Sequence, residues 1–322
     1  MPIPLPDAAL IDRFRADLDR LAPDEAVAVA VSGGPDSLAL LLLTAAARPD
    51  RVRAATVDHR LRPESAQEAA FVARVCGALG VSHAILTATV PSGGGGTQAE
   101  ARKARYAALG AWMAGEGLHT LLTAHHAEDQ AETLLMRLQR GSGVGGLAGV
   151  RSRGALPESG GGLQVCRPLL GWRRAELAAI VAQAGLEAID DPSNANADFD
   201  RVRMRRRMKE APWLDVPALA RSAAALAQAD EALDAMASRL FEERSKASGG
   251  GMSLDPSGLS EEILRRLVLR CLRELAPDAA PRGEQVTALL ATLARSETAT
   301  LAEVMCTGGA VWSFEPAPPR RG

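Results

Sequence analysis

Between residues 25 and 139 the apolar positions change period repeatedly. Val27-Ala28-Val29-Ala30-Val31 is a short unbroken apolar run ended by Ser-Gly-Gly-Pro, the pattern of a buried strand feeding a tight turn, and Leu38 to Ala47 reads as the helix that follows. The alternation recurs as strand 52–57, helix 64–79, strand 82–86, helix 97–116, strand 119–124 and helix 128–139. Strands alternating with helices predict βαβ crossovers and an α/β fold with a doubly wound parallel sheet covered on both faces. Such sheets bind ligands at the carboxyl ends of their strands. Upstream, Ile11, Phe14, Leu18 and Leu21 predict a helix over 7–21 packed beside this domain. From about residue 215 the chain turns Ala-, Leu- and Arg-rich, with helices expected near 217–247, 259–275 and 283–295 and a terminal hairpin between Thr300 and Phe314. The expected division is an α/β domain over 1–212 and a smaller, mainly helical domain over 213–322.

Composition narrows the classes. A chain of 322 residues is long enough for about two domains, and 47% hydrophobic with 24% charged residues excludes a disordered or collagen-like protein. Thirty-nine acidic residues against 37 basic ones give a net charge of -2, which excludes a uniformly basic nucleic-acid binder. The only lysines are Lys103, Lys209 and Lys246, and aromatics make up 3%, so any RNA site has to be a local arginine cluster with little stacking. Cys76, Cys166, Cys271 and Cys306 lie far apart, without CxxC or zinc spacing, as in a reduced compartment. The N-terminus lacks a signal-peptide pattern, and the longest apolar run, Leu38 to Ala47, falls well below the roughly 20 residues that span a bilayer. A cytoplasmic protein without a membrane partner is the expectation.

Three segments carry candidate chemistry. Ser32-Gly33-Gly34-Pro35-Asp36-Ser37 joins a strand to a helix, where backbone N–H groups and the helix dipole converge on an anion. It lacks the lysine of GxxxxGK[ST] and the spacing of GxGxxG. A phosphate cradle of this kind suits the pyrophosphate of ATP while chemistry proceeds at the α-phosphate, and Asp36 beside it would hold Mg²⁺ or position a nucleophile; an ordinary turn is the alternative. His125, His126, Glu128, Asp129 and Glu132 crowd another strand-to-helix junction. Zinc does not fit, because HExxH is absent and adjacent histidines do not share a helix face. Asp129 and Glu132, three apart, direct two carboxylates the same way and can hold a cation such as a lysine ammonium, whereas the helix dipole alone accounts for Glu128. Arg201, Arg203, Arg205, Arg206, Arg207 and Lys209 put six basic residues in nine positions. Six phosphate contacts would give a salt slope of about −4 to −5 in log affinity; pairing with acids elsewhere is the plainer reading.

SGGPDS resembles the PP-loop of the N-type ATP pyrophosphatases. With VDHRLRPES at 57–65, AEARKARYAAL at 99–109, TAHHAEDQAETLLMRLQRGSGVGGLAGV at 123–150, RPLL at 167–170 and DDPSNANADFDRVRMR at 190–205, the chain resembles the tRNA(Ile)-lysidine synthase family over about residues 25–210. The resemblance implies a ligase that uses ATP and Mg²⁺ to adenylylate the wobble cytidine of isoleucine tRNA with a CAU anticodon. Free L-lysine then displaces AMP, and codon reading changes from AUG to AUA. It implies an ATP pocket of Ser32, Gly33, Gly34, Pro35, Asp36, Ser37, Asp58 and His59, with Mg²⁺ on Asp36. It places Arg105 beside Tyr106 as a charge-stabilising residue; the alternatives are a solvated helix face for Arg102 and Arg105, and a strand-end cap for His59. Asp129 and Glu132 would take the lysine, and Arg201, Arg203, Arg205, Arg206 and Arg207 the tRNA. Two positions depart from the family pattern: Glu128 stands where Asp is usual, and Val202 where Asn is usual. Base stacking would fall to arginine planes or to Tyr106, Phe199 and Trp172. A related tRNA thiolase would need paired cysteines, an amidotransferase-type ligase an N-terminal cysteine nucleophile, and a non-catalytic RNA module would have no use for Asp129 and Glu132. A homodimer is left open.

Overall fold

The alternation of apolar residues along Val27–Ala30 (β1) sends Val27 and Val29 to one face of a sheet and Ala28 to the other. The computed structural model describes residues 3–58, 65–88, 98–159, 161–189 and 200–318. They divide into two compact units, Met1–Ala227 and Gln228–Gly322.

In the first unit, Ala8–Asp19 (α1) precedes β1, and Pro35–Ala47 (α2), Val52–Asp58 (β2), Ser65–Ala78 (α3), Ser82–Thr87 (β3), Gln98–Gly115 (α4), Thr120–Leu122 (β4) and Ala127–Leu138 (α5) follow. Then come Val144–Leu147 (α6), Arg153–Ala155 (β5), Gln164–Cys166 (β6), Arg174–Gln183 (α7), Asp200–Lys209 (α8) and the long Val216–Arg244 (α9), which continues into the second unit. The sheet order is β3-β2-β1-β4-β6-β5, parallel except for the edge strand β5. One face carries α1, α2, α3 and α7 over Val27, Val29, Val52, Ala54 and Leu122; the other carries α4, whose Tyr106, Leu109 and Met113 cover Ala28, Ala55, Leu121 and Val165. Helix α2 is apolar all round and fully enclosed from Leu38 to Leu43, as an interior helix must be.

β1 lies between β2 and β4, so the chain leaves β1 towards one side and returns on the other. That makes the β1/β4 boundary the topological switch point, where the strand ends open a crevice. The loop after β1 and the junction after β4 both end there. The short strands β5 and β6 were not expected from the sequence.

The second unit contains the end of α9, Ser245–Ser248 (β7), Gly251–Leu254 (β8), Glu261–Leu275 (α10), Gly283–Ala294 (α11), Thr298–Leu301 (β9), Val304–Thr307 (β10) and Trp312–Pro316 (β11). Its strands form an antiparallel sheet, β7-β8-β11-β10-β9, backed by Leu267, Leu272, Leu289 and Leu293 of the two helices. The expected terminal hairpin is thus the edge of a five-stranded sheet. Helix α9 stops at Arg244 rather than 247, because Gly249 and Gly250, with φ of +56° and +87°, turn β7 back onto β8.

Candidate active site

The loop after β1 is built around two serines. Ser37 Oγ accepts from the Ser32 backbone N–H (3.1 Å), lies 3.2 Å from Ser32 Oγ and donates to the Gly34 carbonyl (3.0 Å), tying both ends of the turn together. Gly33 has φ +84°, the left-handed region that favours glycine, and a Cβ there would lie 2.3 Å from Ile189 Cδ1, so a side chain would also have to displace the isoleucine tip. Ile189 N also donates to the Gly33 carbonyl (3.0 Å). Gly34 caps α2 in an extended conformation with Pro35 in its first turn, which leaves the N–H groups of Asp36 and Ser37 free of intrahelical partners and disposed towards an anion.

The junction after β4 supplies the charge. His126 is the N-cap of α5, and Asp129 Oδ2 accepts its backbone N–H at 3.0 Å in a capping box. The buried His126 ring stands among three carboxylates: Nε2 is 3.5 Å from Asp36 Oδ2 and 3.6 Å from Asp129 Oδ2, and Nδ1 is 3.0 Å from Glu128 Oε2 without hydrogen-bond alignment. Burial pulls the imidazole down, but the contacts with Asp36 and Glu128 and the charge of Asp129 outweigh it and push His126 up to about 10. Its neighbour behaves oppositely. His125 accepts or donates at Thr123 Oγ1 (3.0 Å), and burial, only partly offset by Asp129 and reinforced by Arg167, Arg102 and Arg201, pushes it down to about 4. At neutral pH one histidine is therefore an imidazolium and the next is neutral.

Glu132, 1% exposed at its side chain, receives two hydrogen bonds from the Arg205 fork, 2.7 Å from Nε and 3.2 Å from the terminal nitrogen. Burial pushes the Glu132 carboxyl up from the usual carboxylate range against the pull of Arg205, and Glu132 in turn makes Arg205 harder to deprotonate, with Asp129 and Asp36 adding to the effect. Asp36, His126, Asp129, Glu132 and Arg205 thus form one electrostatic cluster drawn from α2, α5 and α8.

Glu128 has a different task. It accepts from Arg173 Nε (2.7 Å) and from the Arg174 backbone N–H (2.9 Å), so its carboxylate sits at the N-terminus of α7. Burial opposes its charge, but His126, Arg173 and the Arg174 N–H hold it down at about 2.

Other expected site residues lie apart from this cluster. Arg105 is exposed on α4, and among the described residues it has no hydrogen bond or ion pair. Arg102, one turn earlier, donates to Tyr106 Oη (3.1 Å) and lies 4.9 Å from the ring centroid. Asp58 ends β2, half-buried, with its carbonyl accepting from Ala88 N; His59 lies outside the described residues. Of the α8 arginines, Arg205 turns inward, while Arg201, Arg203, Arg206 and Arg207 are exposed and Arg203 pairs with Asp200. Trp172 and Tyr106 are buried, which removes them as stacking surfaces, and Phe199 is outside the described residues. The sequence reading did not single out His126 for a role. Its position four residues past β4 was the available signal, but the partnership with Asp36 depends on β4 pairing with β1.

Among the described residues no three His, Cys, Asp or Glu side chains gather to hold a metal ion. Asp36 nevertheless suits one as a partial ligand, since its Oδ1 is buried and has no hydrogen-bond partner. Mg²⁺ commonly takes one or two carboxylates and completes its octahedron with phosphate oxygens and water.

Residues 8–211 match the PP-loop domain family. The tRNA(Ile)-lysidine synthase of Zymomonas mobilis subsp. mobilis is 44% identical over 293 residues, covering 91% of this chain and 89% of that protein. The tRNA(Ile)-lysidine synthase of Novosphingobium aromaticivorans is 45% identical over 311 residues, covering 96% and 94%. The chain belongs to the tRNA(Ile)-lysidine synthase family. Its fold extends past that family: a U34-tRNA thiolase from Methanococcus maripaludis superposes with a TM-score of 0.52 at 17% identity, over 70% of this chain and 77% of that one. At that distance only the fold is shared. Within the lysidine synthase family the SGGPDS loop and the His126–Glu132 segment of this chain meet at the switch point that the sheet order creates.

Proposed function

We propose that this protein is an ATP-dependent tRNA ligase that joins free lysine to the wobble cytidine of isoleucine tRNA with a CAU anticodon. The observation that carries this reading is the contact of the PP-loop with the α5 carboxylates: Asp36, with one unpartnered oxygen, lies against His126, which also touches Asp129. On this reading, a site for a polyphosphate and a site for a cationic amino acid would lie side by side.

In the first half-reaction the carbon-2 oxygen of cytidine attacks the α-phosphorus of ATP, and the bond to pyrophosphate breaks. The free N–H groups at the start of α2 receive the departing negative charge. Mg²⁺, when bound with Asp36 as a protein ligand, would neutralise phosphate charge. His126, held as an imidazolium, offsets the negative charge that Asp36 and Asp129 would otherwise turn towards the nucleotide. In the second half-reaction the ε-amine of lysine attacks carbon 2, and AMP leaves with the former carbon-2 oxygen. Asp129 and Glu132 supply the carboxylates for lysine, and the proton lost from its ammonium passes to one of them. Glu132 already holds the Arg205 guanidinium, so a lysine ammonium at Glu132 must exchange with that cation.

Paired reactive thiols would be needed for the related sulfur-transfer chemistry. Burial instead pushes the thiols of Cys76, Cys271 and Cys306 up to about 12 and raises that of Cys166.

Incubation with isoleucine tRNA transcript, ATP and labelled lysine should give one lysine per tRNA together with AMP and pyrophosphate. A folded protein that incorporates none overturns the assignment. Asp129→Asn should abolish lysine transfer while pyrophosphate release persists in part; loss of ATP binding instead would contradict a lysine-directed role.

A further inference from the structure

The described aromatic residues are all buried or half-buried except one. Trp213 is 80% exposed, on the short connector between α8 and α9. A single exposed apolar side chain is ordinary on a protein surface; what sets Trp213 apart is a large flat ring directly after a run of cations. The connector is not loose: Ala211 N donates to the Met208 carbonyl (3.2 Å), Leu214 N to the Ala211 carbonyl (3.0 Å), and Asp215 Oδ1 accepts from Ala218 N (3.2 Å) at the start of α9. The indole is carried on a fixed base, so little freedom is lost when something stacks on it.

Its surroundings select the partner. Helix α8, directly before it, exposes Arg201, Arg203, Arg206, Arg207 and Lys209 within two and a half turns. Arg203 and Arg207 also line a cavity of about 240 Å³ with Arg140, Asp200, Gln139, Met136 and Met204. An exposed ring next to a run of cations matches a single-stranded nucleic acid, whose phosphates meet the arginines and whose unpaired bases offer flat π-faces. A protein partner would be expected to bring acids to α8 and an apolar pocket to Trp213; RNA supplies both complements in one strand.

We propose that Trp213 is a stacking platform for an unpaired base of the bound tRNA, with the exposed arginines of α8 holding the flanking phosphates. This rests on the tRNA-ligase reading above and extends it to a residue outside the reacting cluster. Trp213→Ala should weaken tRNA binding about ten-fold while leaving the salt slope unchanged, because stacking releases no counterions. Trp213→Phe should retain most of the affinity. Arg207→Ala should instead flatten the slope by about 1.

Fluorescence gives a readout that a structural role would not move. Titration with tRNA should quench the exposed indole, whereas Trp172 and Trp312 are buried and Trp112 is half-buried. The quench should vanish in Trp213→Phe, and polyphosphate, which offers charge without bases, should bind without producing it. Wild-type affinity in Trp213→Ala, an unchanged emission on tRNA binding, or equal quenching by polyphosphate would each overturn the proposal. A change in self-association with tRNA affinity intact would do the same. Lysine incorporation by the wild-type protein tests the enzymatic reading separately. A protein that incorporates lysine but fails these tests loses the stacking role alone. One that incorporates none yet shows the quench with RNA keeps that role and loses the ligase reading.

Discussion

Each unit buries a network of arginine or histidine with several acids, and the two networks are finished differently. In the second unit, Arg266 is 10% exposed and uses four of its five N–H groups: Nε donates to Glu262 (2.8 Å), and the terminal nitrogens reach Asp234, the Asp230 carbonyl (3.4 Å) and Asp230 Oδ1 (2.5 Å). Burial works against its charge, but the acids outweigh it and raise its proton affinity further. Among the described residues, no buried side-chain nitrogen or oxygen of this network lacks a hydrogen-bond partner. In the first unit, the cluster around His126 holds acids in excess and leaves Asp36 Oδ1 and His126 Nδ1 buried without hydrogen bonds. A saturated network fastens α9 to α10, whereas an unsaturated one carries an unmet demand for a partner.

The contrast can be broken or sharpened by substitution. The largest effect is expected at Asp36: Asp36→Asn should reduce ATP-dependent pyrophosphate release about 10²–10³-fold with little change in the urea midpoint. A large stability loss with activity intact would place Asp36 with the structural acids instead. Next, Arg266→Ala should cost about 3–5 kcal/mol in urea unfolding, because the buried Asp230 carboxylate loses its ion pair with the guanidinium, while nucleotide binding to the first unit is unmoved. Replacing Arg266 and Asp230 together by apolar residues should recover much of that loss.

His126 gives a pH-dependent test of intermediate size. Its pKa is raised on folding, so the stability it contributes is complete below about 6.5, shrinks as pH rises, and is gone above about 10. The difference in unfolding free energy between wild type and His126→Gln should therefore narrow steadily across that interval. A difference that widens with pH would mean that the ring is neutral in the fold. The smallest effect is expected at Glu262, which is one-third exposed: Glu262→Ala should cost less than about 1 kcal/mol, since Arg266 keeps Asp230 and Asp234.

How much could be read without coordinates followed the range of the interactions. The alternation from Val27 to Leu138 predicts the parallel sheet because each element's own apolar period is strong. β5 and β6, three residues each, carry too few positions for a period to register, and β7, Ser-Lys-Ala-Ser, has a single small apolar residue, so it blends into the end of α9. At the site, Asp36 and Asp129 stand in recognisable local contexts. The Glu132–Arg205 pair spans 73 positions, and the Asp36–His126 contact requires two parallel strands to be neighbours. Neither is visible along the chain. Trp213 is hidden for the opposite reason: nothing in the local sequence distinguishes it from a core tryptophan, and only its accessibility sets it apart.

The four buried thiols have a use unrelated to catalysis. Cys76 and Cys166 belong to the first unit and Cys271 and Cys306 to the second, and each is enclosed and hard to ionise. An alkylating reagent can reach them only when the surrounding structure opens, so the labelling rate becomes a clock of native-state opening. With two timers in each unit, the order in which the masses rise would tell which unit breathes first, without any engineered probe.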